Sequence, residues 1–470
     1  MLPRYGQVGD ADSGVDDVIV VMGDFHLSAG SDPASNAPDP LEMFRDDGAF
    51  SRLLDSLCDR SQVDGRRHRL VMLGDLFDFP RVRLPGPPRP LGEARAVAQL
   101  DRIAAGHTAF FAALAKLLSA GWRLEIVPGN HDTELMRSSV QKRLLALLTK
   151  AGAGSADTLA VRVHPWILYV PGVLYAEHGQ QYHDINSFPA LLRGATASNT
   201  HDDRPIGARF DDYLLDLLHA TNPDPELAAA PLSQIRRAFR RHPGLALRTS
   251  PLHLRFLTAL LRETVVVSPK RRAARRAAYR QRFLPPYSAE TGLSYEVLCA
   301  IDALAEKTAA GFRARVARAL VVQPGVAGWE RLVGRSTDGP ASPGPDLGFP
   351  SSAAQRSMHL HATAGAIHRI LSAAGQDVPF YVFGHTHRAE YVALGTCAGT
   401  PVFLNGGSWT VSDWTPHSGG GTPRPFTFVE ISREAAQRNL RARLQVWNDD
   451  ARRVEIVAPV TTNEGTPAAG

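Results

Sequence analysis

The sequence has few cysteines, three among 470 residues: Cys58, Cys299 and Cys397. An odd and scattered set of this kind argues against a disulfide framework and against a zinc site built from cysteine thiolates. Sparse free thiols are typical of proteins kept in a reducing compartment. We therefore expect a cytoplasmic location, with peripheral attachment to a membrane as the alternative.

Long apolar runs are also missing. Because no stretch of eighteen or more uncharged apolar residues occurs, we expect no membrane-spanning helix. Residues 1–17 are polar and lack a basic region followed by an apolar one, so we expect a flexible tail without a signal peptide. The hydrophobic fraction of 44% and the charged fraction of 21% are ordinary for a globular protein.

What the sequence does contain is a set of short apolar runs that each end in Asp, Asn or His. The runs are rich in β-branched residues and predict strands. The five stretches that follow them are Asp24-Phe25-His26, Gly74-Asp75-Leu76-Phe77-Asp78, Gly129-Asn130-His131-Asp132, Glu177-His178-Gly179 and Gly384-His385-Thr386-His387. Carboxylate, amide oxygen and imidazole are ligands that divalent metals accept in proteins. Seven such ligands are too many for one ion and suit two ions that share a carboxylate.

In this order, the five stretches resemble the motifs of the calcineurin-like metallophosphoesterases, and they span residues 24 to 387. The resemblance implies two divalent ions, Mn²⁺ or a mixed Fe/Mn pair, although the ligand types also suit Zn²⁺, Ni²⁺ and Co²⁺. The ligands of one ion would be Asp24, His26 and His387, those of the other Asn130, His178 and His385, with Asp75 shared by both.

The resemblance also implies an activity. The family hydrolyses phosphate ester, phosphodiester or pyrophosphate bonds by means of a metal-bound hydroxide. His131 is similar to the family's non-ligand histidine, which faces the phosphate and the leaving oxygen. Asp78 resembles the carboxylate that orients this histidine, and Asp132 is expected to lie behind the ligands. His131 and Asp78 are therefore our candidate catalytic residues.

Strand patterns alternate with helical ones and predict an α/β fold. By resemblance this would be a four-layer metallophosphoesterase β-sandwich flanked by helices. Helical periodicity predicts a long helix over Ala94–Ser119 and another near Ser138–Lys150. From residue 190 to 351 helical patterns dominate and no further strand-end motif occurs. We therefore predict a core in two parts, 18–189 and 352–458, a helical insertion with its linker over 190–351, and a disordered tail over 459–470.

The predicted insertion is basic. Residues 190–345 contain 23 Lys and Arg against 14 Asp and Glu, a net charge of +9, whereas the whole chain carries +5. Seven of these cations crowd the segment from Lys270 to Arg282. The cluster is typical of a solvated helix face, of contact with an anionic membrane or of a phosphate-rich substrate. Nucleic acid is a weaker alternative, because few aromatic residues lie among the cations.

The substrate stays open at this stage. The segment around His178 and the helical insertion resemble the branch that includes UDP-2,3-diacylglucosamine pyrophosphatases, although this insertion is far longer. The alternatives are a nucleotide-lipid or other phosphorylated small molecule, a phosphodiester, a nuclease substrate, or a metal-binding scaffold whose insertion engages a membrane or partner. The polar run after His178 predicts substrate contacts from Tyr182, His183 or Asn186, unless it packs as an ordinary loop. The native metal pair and the oligomeric state are not indicated.

Overall fold

The computed structural model of the chain describes residues 18–31, 39, 41–84, 92–155, 159–183, 186–195, 205, 268–322, 353–395, 399–410, 426–433 and 440–461. The predicted N-terminal tail, the helical patterns within 211–267 and the predicted linker at 334–350 lie outside these residues. In the described part of the chain, no helix is both long and apolar enough to cross a membrane.

Twelve strands and seven α-helices make up the described structure. The strands are β1 Val18–Met22, β2 His68–Leu73, β3 Arg123–Val127, β4 Val161–Val163, β5 Ile167–Val170, β6 Leu174–Glu177, β7 Phe380–Phe383, β8 Ala389–Ala393, β9 Val402–Gly406, β10 Thr427–Arg433, β11 Leu440–Asn448 and β12 Arg453–Thr461. The helices are α1 Asp47–Asp64, α2 Glu93–Gly106, α3 Thr108–Ser119, α4 Ser138–Lys150, α5 Pro269–Thr291, α6 Tyr295–Val322 and α7 Ala353–Ala373.

The strands form two mixed sheets, which confirms the α/β class. The first sheet has the order β12-β11-β10-β1-β2-β3-β4, and the second has the order β5-β6-β7-β9-β8. Strands β1 to β4 run parallel to one another, as do β6, β7 and β9. Since the carboxyl ends of parallel strands lie at one edge of a sheet, each sheet presents several strand ends together.

Three apolar clusters order the molecule into four layers. One lies between α1–α4 and the first sheet, and includes Phe50, Phe110 and Trp409. The second lies between the two sheets and contains residues such as Val21 and Val382. The third joins the second sheet to α5, α6 and α7. Strands buried on both faces explain why the apolar runs in the sequence are continuous rather than alternating.

The prediction of a single helix over Ala94–Ser119 is wrong. The helical backbone is interrupted at His107, which lies between α2 and α3. The backbone of Gly106 lies directly against that of Ala29 and Gly30, so closely that a side chain at Gly106 would overlap the Ala29 carbonyl. The imidazole of His107 bonds to Asp47 and Glu42 on either side. Packing against the loop after β1 therefore overrides helical periodicity.

Two of the four edge strands, β8 and β12, were missed by the sequence patterns. Strand β8 alternates between exposed and half-buried residues, and its apolar stretch is only Tyr391-Val392-Ala393. Strand β12 pairs with β11 and continues to Thr461, so it extends three residues past the predicted core boundary at 458. The predicted disordered tail therefore begins too early, and its remaining residues lie outside the described chain.

Within the insertion, the predicted helices near Pro269–Phe283 and Ser294–Val322 are confirmed as α5 and α6. The basic segment is not a single solvated face, however. The Arg276 and Arg280 side chains turn inward to the buried carboxylate of Asp302 on α6. Two exposed cations of the same segment, Arg271 and Arg275, do face solvent. An ion pair at the helix-helix contact therefore accounts for part of the charge cluster.

Candidate metal centre

The predicted ligands meet because their loops leave the parallel strands of both sheets at the carboxyl ends. The loops after β1, β2 and β3 carry three of the motifs, and those after β6 and β7 carry the other two. Three groups of His and Asp side chains lie close enough together to hold a metal ion: Asp24, His26 and His387; Asp75, His178 and His385; and His26, Asp75 and His131. Six of the seven predicted ligands belong to the first two groups. The seventh, Asn130, is neither a His nor an Asp, so it is not a member of a group of these residue types.

The backbone at these ligands is strained. Among the described residues, six that are not glycine have a positive φ, and five of the six are predicted ligands. The five are Asp24, His26, Asp75, His385 and His387, with φ between 48° and 70°. A left-handed conformation costs an L-residue roughly 1–2 kcal/mol. Strain of this kind persists only where the surrounding structure imposes it, and it is concentrated at functional sites.

Three glycines leave the space that the ligands occupy. A side chain at Gly74 would overlap the His178 ring, and one at Gly129 would overlap the carboxylate of Asp75. At Gly384, an added Cβ would stand 2.7 Å from Asp24 Oδ2. Each glycine precedes a motif residue, so a larger residue at any of them would displace a ligand.

In the first group, three side chains surround one small volume. Asp24 Oδ1 lies 3.3 Å from His387 Nε2, and His387 Nε2 lies 3.2 Å from His26 Nε2. Burial lowers the pKa of His26 despite the carboxylates of Asp78 and Asp75 beside it. His26 is therefore held in the neutral form that binds a metal.

At Asn130 and in the second group, two buried atoms lack hydrogen-bond partners among the described residues. They are Asn130 Oδ1 and His178 Nε2. The second atom lies 3.1 Å from Asp75 Oδ2 without forming a hydrogen bond. Buried polar atoms normally have partners, so these two atoms call for a ligand. An amide oxygen and an imidazole nitrogen are both suitable donors to a divalent ion.

Asp75 lies between the two groups. Its Oδ2 is 3.6 Å from His26 Nε2 and 3.1 Å from His178 Nε2, while its Oδ1 accepts a hydrogen bond from the His131 backbone N–H at 2.9 Å. Burial would raise the pKa of Asp75, but the positive field of His178, His131 and His26 outweighs it and holds the pKa well below the usual value. The Asp75 carboxylate therefore lies within reach of both groups of side chains.

The negative charge of nearby carboxylates acts on His178 in turn. Burial alone would lower its pKa, but Asp75 and Asp24 outweigh this and raise the pKa to about 9. A proton is thus held where two carboxylates face one imidazole. A metal ion at this position would supply the positive charge instead, which agrees with the ligand types around it.

Outer hydrogen bonds determine which ring nitrogen each ligand offers. His26 Nδ1 donates to Asp78 Oδ2 at 3.1 Å, and His178 Nδ1 donates to the Leu73 carbonyl at 3.2 Å, so both rings present Nε2. His385 Nε2 lies 2.9 Å from His183 Nδ1, which already accepts from the Asn186 amide. His385 must then be the donor, and its Nδ1 is left to bind a metal.

His131 is oriented by Asp78. His131 Nδ1 lies 3.1 Å from Asp78 Oδ1, and Arg81 Nε lies 2.9 Å from Asp78 Oδ2. Burial raises the pKa of Asp78, but the charges of His131 and Arg81 outweigh this and bring the pKa far below its usual value. The His131 side chain is 20% exposed, whereas Asp78 is fully buried. The histidine can therefore meet a substrate while its partner cannot.

Tyr182, for which we predicted a substrate contact, lies in the core. Its hydroxyl donates to Glu177 Oε1 at 2.8 Å, and the residue is 2% exposed. Tyr175 and Trp166 donate to the same carboxylate. The described contacts of Tyr182 are those of a core residue, and its contact with substrate stays a prediction.

His183 contacts the ring of His385, and Asn186 bonds to His183. In the polar run after His178, these two residues therefore support a predicted ligand, and their contact with substrate stays a prediction. Asp132 lies where we expected it, fully buried, with its carboxylate accepting from the backbone N–H groups of Gly129 and Leu76.

Asn405 and Ser408 are supporting residues that the motifs did not single out. Asn405 Nδ2 donates to the Gly384 carbonyl and to Thr386 Oγ1. Ser408 Oγ donates to the Asp24 carbonyl at 3.0 Å. Both residues hold strained loops that carry ligands. Their signal in the sequence is the same one as at the ligands, a polar residue after an apolar strand.

The comparisons with known proteins add no family assignment. No protein-family model matches the chain, and a search of curated proteins finds no match. The function of the chain must therefore be inferred from the residues and geometry of the candidate centre itself.

Proposed function

We propose that the chain is a metal-dependent phosphoric ester hydrolase of the calcineurin-like type, with two divalent ions at the centre just described. The observation that carries the proposal is the shared position of Asp75 between two ligand groups, both built from strained strand ends. The ordered motifs and the sandwich of two mixed sheets agree with it. A structural cluster of histidines would need neither the strain nor the unpartnered Asn130 oxygen.

The residues fit two ions. One would be held by Asp24, His26, His387 and Asp75, and the other by Asp75, Asn130, His178 and His385. The bound ions would neutralise charge on the phosphoryl oxygens and activate a water for attack on phosphorus, with Mn²⁺ or a mixed Fe/Mn pair as the candidates. Imidazole and carboxylate ligands also accept Zn²⁺, Ni²⁺ and Co²⁺.

His131 would act on the leaving group. Its Nδ1 is held by Asp78, so its Nε2 is available to the substrate. In the protonated ring this nitrogen donates a proton to the departing oxygen, and a positioned acid of this kind contributes roughly 10²–10⁴-fold. Asp78 favours the protonated ring because the carboxylate is ionised and fully buried. Arg81 balances the charge of Asp78 from the other side.

Two measurements test this function together. Elemental analysis of protein purified without chelator should find about two divalent ions per chain, and Asp75→Ala should lose both. The wild type with Mn²⁺ should hydrolyse an aryl phosphodiester or phosphomonoester, and Asp75→Ala should not. Asp55→Ala, an exposed position on α1 that pairs with Lys116, is the matched control. Two tightly bound ions in Asp75→Ala would show that Asp75 is not shared.

The metal-binding scaffold is separated from the enzyme by the same experiment, since it would bind two ions without turnover of any ester. A panel of nucleotides, nucleotide-sugars, phospholipid head groups and oligonucleotides would then distinguish the substrate classes that the sequence leaves open.

A further inference from the structure

Arg137 is a buried cation without a counter-charge in the part of the chain that the structure describes. It lies at the start of α4, in the segment that follows Asn130 and His131, and it is 5% exposed. Its Nε and Nη1 are both buried, and neither has a hydrogen-bond partner among the residues that the structure describes. A guanidinium stays charged at every physiological pH. Buried charges are normally paired, so this one requires an explanation.

The position of Arg137 makes the imbalance larger. It is the N-cap residue of α4, where Ser, Thr, Asp and Asn are preferred and where the helix dipole is positive. The first turn of α4 has no acidic residue, and the cap makes no side-chain hydrogen bond. Ser139 Oγ in that turn is also buried and has no partner within the described chain. Two residues at one helix end, Arg137 and Ser139, thus each carry a buried polar group without an acceptor among the described residues.

Another arginine on the same helix shows the contrast. Arg143 is 42% exposed on its side chain, and its Nε bonds to Asp101 Oδ1 at 2.5 Å. The helix therefore pairs the arginine that solvent could stabilise and leaves the buried one unpaired. An oxyanion at the helix start would compensate the guanidinium, the hydroxyl and the first N–H groups together.

We propose that the N-terminus of α4, with Arg137 and Ser139, binds a second phosphate group of the substrate. This inference rests on the proposed hydrolase function. Five residues separate His131 from Arg137, and four of them form the 3₁₀ turn Thr133–Met136. At about 2 Å per residue in such a turn and about 3.4 Å elsewhere, the two residues lie at most about 15 Å apart. The substrate class is therefore a phosphate ester or pyrophosphate with a second phosphate within that reach.

Anion binding can be tested without catalysis. The melting temperature of metal-free protein is measured in chloride and in inorganic phosphate at equal ionic strength, for wild type, Arg137→Met and the control Arg143→Met. Phosphate should raise the melting temperature of wild type and Arg143→Met by about 2 °C or more beyond its effect on Arg137→Met. In chloride, Arg137→Met should be at least as stable as wild type, because an unpaired buried charge has been removed.

Two results would overturn the proposal. One is an equal phosphate response in all three proteins. The other is a lower melting temperature of Arg137→Met in chloride together with no phosphate response in wild type, which would make Arg137 a structural residue. Acetate serves as a second anion, and a larger response to acetate than to phosphate would contradict the assignment to a phosphate.

Kinetics then link the site to the substrate. Arg137→Met should raise KM about tenfold to hundredfold for an ester with a second phosphate and leave KM for a simple aryl phosphate unchanged. Arg137→Lys, which keeps the charge but loses the fork of donors, should fall between them. Equal KM changes for both esters would contradict the proposal. If no ester is hydrolysed, the proposed function fails, whereas the phosphate response still decides whether the anion site exists.

Discussion

At Asp78, one buried carboxylate holds three side chains. Oδ1 binds His131, and Oδ2 binds both His26 and Arg81. The same residue therefore orients a predicted ligand and the predicted acid. Because His26 and His131 lie on two other loops, a small displacement of Asp78 would affect both the candidate metal centre and the histidine proposed to act on the leaving group. The role of His131 is therefore best tested by substituting His131 itself, because a substitution of Asp78 would also affect His26.

The substitution His131→Ala should lower kcat by about 10²-fold or more, since it removes a proton donor and not a ligand. Its metal content should stay near that of wild type. His385→Ala, in the second ligand group, should instead lose metal. Elemental analysis and steady-state kinetics of both variants provide the measurement. If His131→Ala loses metal as completely as His385→Ala, then His131 is a ligand, as its proximity to His26 and Asp75 also allows.

At the scale of single residues, the sequence predicted the ligands better than their supports. Asp24 or His385 can be recognised because each ends an apolar run in a residue type that binds metals. His183 cannot be recognised in that way, since its supporting role depends on a contact with a distant loop: it lies against His385, 202 positions away. The burial of Tyr182 could not be recognised either, because its partner Glu177 is an acid that lies in the core.

At the scale of the elements, the junction of α2 and α3 is the clearest departure from periodicity. His107 lies there, 2% exposed, between Glu42 and Asp47. The Glu42 carboxylate in turn accepts from the backbone of Ser28 and Gly30 in the loop after β1. The contacts among His107, Glu42 and Asp47 therefore connect the helical layer to the loop after β1, which leaves the candidate metal centre. No repeat of apolar residues could reveal this, because the contact is polar.

The contribution of His107 to stability should depend on pH. Burial alone would lower its pKa, but hydrogen bonds to Asp47 and Glu42 outweigh this and raise the pKa to about 9. A raised folded-state pKa adds stability below the unfolded value of about 6.5, and this is lost as pH rises through about 9. The gain is on the order of 3 kcal/mol. Denaturant unfolding of wild type and His107→Gln should differ at pH 6 and converge near pH 10. An equal difference at both values would contradict a protonated His107.

The contact between α5 and α6 gives a second prediction at this scale. Arg276 Nε lies 2.8 Å from Asp302 Oδ2, and Asp302 is 1% exposed. Arg276→Ala should lower the free energy of unfolding by about 2–4 kcal/mol, because it leaves a buried carboxylate with one cation fewer. Arg275→Ala, one residue earlier and exposed, should change it by less than about 0.5 kcal/mol. Urea unfolding compares the two, and equal effects would mean that the cluster acts as one surface patch.

Over the whole molecule, the candidate centre draws its ligands from both sheets. Asp24, Asp75 and Asn130 follow strands of the seven-stranded sheet, whereas His178 and His385 follow strands of the five-stranded one. The order of the layers could be predicted from alternating strand and helix patterns and from the family resemblance. The edge strands β8 and β12 could not, because their apolar stretches are short and partly exposed and their place in the sheets is determined by pairing with their neighbours.

Metal binding should therefore stabilise the sandwich as a whole. Ions that bind only the folded chain raise its stability with their concentration. We expect a chelator to lower the melting temperature and Mn²⁺ to restore it, with Asp75→Ala insensitive to both. Hydrogen exchange should show slower exchange in β1 and β7, one strand from each sheet, when Mn²⁺ is present. Protection confined to one sheet would mean that the ions do not join the two.

The contact between His26 and His387 spans 361 positions of the chain. A ribosome adds about 5–20 residues each second, so roughly 20–70 seconds pass between the synthesis of these two histidines. During that interval the early loops hold carboxylates and imidazoles without their later partners. The cell's divalent ions would meet a half-built set of donors first, and the complete set only once the chain has been made as far as His387. Which ion the proposed centre takes up would thus depend on the timing of translation as well as on affinity.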